Sequence, residues 1–194
     1  MTPNAESQPI IEQAINYIQD IFAGNSDGHD AAHTLRVYHN AMAIADHYPE
    51  CDRLLVALAA LLHDVDDHKL FSTENNENAR RFLADQGVES SQIEAVCEIV
   101  NAVSFSKNKA KTPATLEGQI VQDADRLDAL GAIGVARTFA YGGKNGRNLD
   151  DSIAHFHEKL LLLKDTMNTS EGRALAEQRH AFLLEFLKEW EAEN

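Results

Sequence analysis

Basic residues are in short supply in this chain, and so are cysteines, long apolar runs and strand-like patterns. Its 194 residues hold 17 Lys and Arg against 31 Asp and Glu, a formal net charge of -14. Such a surface repels nucleic acid at long range. It also repels a phosphorylated small molecule, so a phosphate substrate requires a bound cation or a few placed Lys and Arg. No stretch approaches the ~20 uncharged apolar residues of a membrane span. The start, MTPNAESQPI, lacks the basic and apolar regions of a secretory leader. Cys51 and Cys97 match no zinc or redox spacing and read as free buried thiols of a reducing cytoplasm. Period-2 strand patterns, repeats and domain-scale linkers are missing as well.

What is present is helical periodicity. Ile10, Ile11, Ala14, Ile15, Ile18, Ile21 and Phe22 recur at helical spacing, with Gly24 as a stop. Asp30 is placed to cap a second helix and Asp52 a third, RLLVALAALLHDV, which is apolar on nearly all sides and therefore central. Ser72 and Thr73 can start a fourth helix that ends at Gly87. Ser91 with Glu94 gives a capping-box signature for a fifth. SFSKNKAKTPAT reads as a loop. Helix resumes through LEGQIVQDADRLDALGAIGVARTFAYGG, where Gly131 and Gly134 weaken the pattern locally and leave room for close helix packing. Two more helices are expected, over about 151–166 and 170–192. The expectation is one all-α domain spanning 1–194, with its core over about 10–190. The Leu-rich C-terminal helices read as core, with a homodimer interface as the alternative.

Chemistry concentrates in LLHDVDDHK, residues 61–69. His63 and Asp64 lie there, His33 lies in the second helix, and Asp125 lies far downstream in QDADRLDAL. Two imidazoles and two carboxylates form a mixed N/O set suited to manganese, magnesium, cobalt or nickel. Both cysteines stand outside the set, which argues against structural zinc. If the third helix continues one more turn, Asp67 shares a face with His63 and Asp64 and can orient a water. Lys69 and Arg36 are near enough in sequence to hold a phosphate oxygen. Each feature has a plainer reading. A lone His is usually a satisfied core residue, as expected for His39, His47, His155, His157 and His180. DVDDHK alone can be a solvated helix end, and the lysines at 107, 109 and 111 a solvated loop rather than cover for a polyphosphate tail.

The order His33, His63-Asp64, Asp125 resembles the HD superfamily of metal-dependent phosphohydrolases. HDAAHTLRVYHNAMAIA, ALAALLHDVDDHK and VQDADRLDALGAIGVARTFAYGG are similar to its small stand-alone bacterial members, as is the tail from His155 onward. The resemblance implies an all-α helical bundle and one divalent cation, manganese or magnesium first, held by His33, His63, Asp64 and Asp125. It implies that Asp67 positions the attacking water, with Asp where several relatives carry Glu. Arg126 becomes a further candidate phosphate contact, and Asp123 and Asp128 read as supports of the ligands or of the helix. Dinuclear members carry extra histidines between the HD pair and the last Asp. Only His68 lies between those positions here, and no Gly-Tyr-Pro is present, which disfavours the di-iron oxygenase and cyclic-di-GMP branches.

The resulting expectation is a cytoplasmic nucleotide pyrophosphohydrolase that cuts nucleoside triphosphates with a single cation. It needs a small phosphorylated partner and neither nucleic acid nor membrane. A nucleoside monophosphate phosphatase and a non-catalytic metal- or nucleotide-binding regulatory module are the alternatives.

Overall fold

Two aspartates start the helices that lead to the site. The Asp30 carboxylate accepts the His33 amide at 2.7 Å, and the Asp52 carboxylate accepts the Leu54 and Leu55 amides at 3.0 Å each. These side chains satisfy first-turn N–H groups that have no partner within the helix. The computed structural model describes residues 8–25, 30–103 and 111–194. Among them every regular element is helical. No described helix is long and apolar enough to cross a membrane.

The chain forms two compact units, one ending at Ala124 and one beginning at Asp125. The first contains α1 (Gln8–Ile21), α2 (Ala31–Ala45), α3 (Arg53–Leu62), α4 (Glu77–Asp85) and α5 (Ser90–Val103). α6 (Leu116–Asp128) carries the boundary. α3 is the centre of the first unit: Val56 through Leu62 are all buried, and the helix packs against α1, α2 and α5. That accounts for its lack of a polar face. Cys51 and Cys97 are buried free thiols, and burial pushes both up from the ordinary cysteine range.

Three expectations about helix ends are corrected. α3 stops at Leu62, and residues 63–66 form turns instead of a further helical turn. α4 starts at Glu77 instead of near Ser72, because Asn75 and Asn76 adopt left-handed backbone with φ of 53° and 56°. Asparagine tolerates that region better than other non-glycine residues. Glu94 does not serve as a capping-box partner. It takes the Arg80 guanidinium in a two-pronged pair at 2.5 and 2.7 Å, joining α5 to α4. The end of α4 follows the sequence reading. Gly87, at φ 73°, donates to Ala84 O while Val88 donates to Leu83 O, the paired bonds of a Schellman stop.

The second unit contains α7 (Gly131–Lys144), α8 (Leu149–Glu158), a 3-10 helix (Leu160–Thr166) and α9 (Ser170–Glu193). The helix expected across residues 116–143 is two helices, because the chain turns at Leu130–Gly131. Gly131 sits at φ 68° with the Arg179 stem against it, and a Cβ on Gly134 would lie 2.3 Å from the Ala129 carbonyl oxygen. Phe139, Phe156, Phe186 and Trp190 pack ring against ring, stacked, tilted or edge-on, at centroid distances of 5.6–6.3 Å, within the usual range for attractive ring pairs. Of the Leu-rich tail, Leu160, Leu163, Leu183 and Leu187 are buried as expected, whereas Leu162 and Leu184 are exposed.

Candidate metal centre

The last turn of a helix leaves carbonyls without intrahelical donors. At the end of α3 the His63 side chain fills that role: its Nδ1 lies 2.8 Å from Ala60 O. A carbonyl can only accept, so Nδ1 carries the hydrogen. In the neutral ring the lone pair is then on Nε2, the form that ligates metals. His33, in the first turn of α2, brings its own Nε2 to within 3.3 Å of His63 Nε2. Asp64 Oδ2 completes a triangle, 3.4 Å from His33 Nε2 and 3.3 Å from His63 Nε2. All three side chains are buried, at 2%, 4% and 11% exposure.

Ligands about 2.1 Å from a small divalent cation stand about 3.0 Å apart at octahedral angles and about 3.4 Å apart at tetrahedral ones. The three donors fall in that interval. Two imidazoles and a carboxylate, with both thiols elsewhere, suit manganese, magnesium or a similar ion better than a structural zinc. The residues therefore fit a divalent cation. Among the described residues this is the group of three His, Cys, Asp or Glu side chains able to hold one.

Comparison with known proteins agrees. A model of the HD domain family matches residues 30–130, a span that includes all four expected ligands. The chain belongs to the HD domain family. It is 41% identical to the protein YpgQ of Bacillus subtilis over 188 residues, covering 93% of this chain and 91% of that one. A crystal structure of YpgQ in complex with ADP superposes with a TM-score of 0.84 at 35% identity, covering 97% and 96% of the two chains. An HD-superfamily hydrolase from Bacillus thuringiensis gives a TM-score of 0.80 at 37% identity, covering 96% and 97%. The protein is thus an HD-type, metal-dependent phosphohydrolase with the all-α fold expected of it.

The other sequence candidates of this HD chain are placed as follows. Asp125 is half-buried on α6, at the start of the second unit. Just before it, the Ala124 carbonyl accepts from Asn40 Nδ2 of α2 at 3.3 Å. Arg36 is half-buried on α2, and Lys69 is exposed. Asp67 does not extend the helical face of His63 and Asp64, because α3 has already ended. Its Oδ1 accepts the Lys69 amide at 2.8 Å, closing a side-chain turn of the kind that competes with helix. Arg126 is buried, and its Nη1 donates to Thr166 O within the second unit. Asp128 is buried, with Oδ2 2.5 Å from Arg137 Nη1. His39, His47 and His157 are exposed on the surface and not in the core, while His155 and His180 are half-buried. Lys107 and Lys109 lie outside the described residues, and Lys111 is exposed.

Sequence reasoning missed Asp66 and Asn78. Asp66 Oδ1 accepts the Asn78 amide at 2.9 Å, and Oδ2 accepts the Ala79 amide at 3.0 Å. Asn78 Nδ2 returns to Val65 O at 2.8 Å. The clue available in the sequence was the run Asn75-Asn76-Glu77-Asn78, rich in turn formers.

Proposed function

We propose that the protein is a nucleotide pyrophosphohydrolase, releasing pyrophosphate from nucleoside triphosphates with one divalent cation held by His33, His63, Asp64 and Asp125. The observation that carries this is the triangle of His33 Nε2, His63 Nε2 and Asp64 Oδ2, with the His63 tautomer set by Ala60 O. Nucleotide recognition draws support from the ADP complex of YpgQ. Asp125 enters as the fourth ligand through its place in the matched HD region, with the Asn40–Ala124 bond fixing the backbone next to it. A cytoplasmic setting fits the two free cysteines.

Bound there, a manganese or magnesium ion supplies Lewis acidity toward phosphate and water. The protein's own part is orientation and charge. His63 is locked by its Nδ1–H bond, so its ring does not need to reorganise. Asp67, half-buried after the turn, accepts the proton of the attacking water. Arg36 and Lys69 neutralise phosphate oxygens in a chain otherwise rich in acid.

The test is incubation of purified protein with manganese and a panel of nucleoside tri-, di- and monophosphates, with pyrophosphate and phosphate measured separately. Pyrophosphate from triphosphates is the expected product. Phosphate from monophosphates would instead mark a phosphatase, and nucleotide binding without turnover a regulatory module.

A further inference from the structure

The stretch HDVDD is held in place by something other than helix, and the bonds that hold it are specific. Past Leu62 the α3 hydrogen-bond ladder has ended, and residues 63–66 are turns. The four residues after His63 then face different ways. Asp64 joins the donor triangle, and Val65 is fully buried. Asp66 turns to the first amides of α4, and Asp67 folds onto the Lys69 amide.

α4 needs Asp66. Its own N-cap residue, Asn76, has left-handed backbone and makes no side-chain cap bond. A carboxylate from twelve residues upstream supplies the cap instead, two oxygens to two consecutive amides. Asn78 closes the loop in the opposite direction by donating to Val65 O. It is itself held, with Oδ1 accepting from Arg81 Nη2 at 2.8 Å and its carbonyl accepting from Tyr17 Oη at 3.4 Å. The three bonds between the segments tie the backbone of residues 65–66 to the start of α4, on either side of which lie Asp64 and Asp67.

We propose that Asp66 and Asn78 are positioning residues of the hydrolytic centre. By clamping the 63–67 turn to the N-terminus of α4, they aim the Asp64 carboxylate into the donor triangle and keep Asp67 at a fixed place beside it. This rests on the reading of the triangle as the centre of a phosphohydrolase. The physical reason is that a turn without a ladder has soft dihedrals, and a ligand set tolerates displacements of only about 0.5 Å. Supports of this kind typically contribute about 10- to 100-fold to metal affinity or activity.

The test compares wild type with Asp66→Ala, Asp66→Asn and Asn78→Ala, using Asn148→Ala as a control. Asn148 caps α8 by accepting the Asp151 amide at 2.7 Å, so its loss also removes a helix cap, but in the second unit. Three quantities are read for each variant: the manganese dissociation constant by titration followed by electron paramagnetic resonance, kcat and KM separately for the best substrate, and the thermal midpoint. Asp66→Ala is expected to weaken manganese binding and lower kcat by about 10- to 100-fold, with KM changing much less. Asp66→Asn keeps one acceptor and should recover part of the loss. Asn148→Ala should lower the midpoint while leaving manganese affinity and kcat at wild-type values. The proposal is overturned if Asp66→Ala and Asn78→Ala lower the midpoint only, or if Asn148→Ala costs as much affinity and kcat at a matched midpoint. The manganese titration needs no turnover, so it decides the clamp even if wild type hydrolyses no nucleotide, a result that would instead remove the functional reading.

Discussion

Two corners of this molecule turn the chain sharply beside an HD-motif segment, and they are built differently. In the first unit, between α3 and α4, polar side chains do the holding: the Asp66 carboxylate takes two backbone amides, and Asn78 answers to Val65 O. In the second unit, between α6 and α7, sterics do most of it. Gly131 adopts φ 68°, and Gly134 leaves no room for a Cβ against Ala129 O. The carboxylate there, Asp128, meets a guanidinium, Arg137, instead of amides. Backbone amides are fixed by their helix, whereas a guanidinium rides on a flexible stem. The first construction therefore suits a turn that must present donor atoms in one direction, and the second suits a turn that must only close tightly.

The comparison is broken most severely at the donor triangle itself. His63→Ala or Asp64→Ala is expected to lower manganese affinity and turnover by more than about 100-fold, beyond the range for supporting residues. Far-UV circular dichroism should show the helices retained. A variant that binds manganese like wild type would remove the donor triangle from the mechanism.

Next in size is the steric corner. Gly134→Ala drives a methyl into a carbonyl that cannot move cheaply, and is expected to cost about 1–3 kcal/mol. Trp190, stacked with Phe139 at 5.9 Å, reports the loss by fluorescence in urea. Asp128→Ala removes the carboxylate that Arg137 meets at 2.5 Å, and about 1–2 kcal/mol is expected in the same experiment, since the guanidinium keeps some access to water. If the second cost clearly exceeded the first, the charge pair and not the glycine would be what holds this corner.

A smaller effect separates the units by pH. Burial, with help from Lys159 and Arg147, pushes His155 below its ordinary value of 6.5, and burial with Lys164 does the same to His180. A histidine harder to protonate when folded binds fewer protons in the native state than in the unfolded one. Stability of the second unit should then rise with pH through the region near 6.5 and fall on acidification below it. The Trp190 unfolding midpoint should drop between pH 7.5 and 5, and less so in a His155→Gln, His180→Gln double variant. An unchanged slope in that variant would assign the acid sensitivity elsewhere.

The smallest effect is expected at the surface. Glu94 is held below the usual carboxylate range by the Arg80 guanidinium, yet the pair is open to solvent and its strength is largely screened. Glu94→Gln should leave the thermal midpoint within error of wild type, showing that this bond between α4 and α5 matters less than the one Asp66 makes to α4.

Much of this was legible in the sequence, for a local reason. Caps, stops and periodicity are decided by neighbours within a turn or two, so Asp30, Asp52, Gly24 and Gly87 announced their helix ends, and the apolar run of α3 announced its burial. All four candidate ligands, His33, His63, Asp64 and Asp125, were nameable from residue type and resemblance, and the convergence of the first three followed from α2 packing on α3. The sequence determined which groups are available: an acidic chain, no spare thiols in the metal set, an HD pair at the end of a buried helix. The tertiary structure alone decided the division of labour within DVDD. Three aspartates within four residues are equivalent as a string. They became a member of the donor triangle, a helix cap and a turn closer because α3 ends at Leu62 and the amides of α4, twelve residues away in sequence, arrive within 3.0 Å of Asp66. Where a carboxylate finds its donors is a long-range fact, set by which helix ends meet in the folded chain and not by the residues beside it.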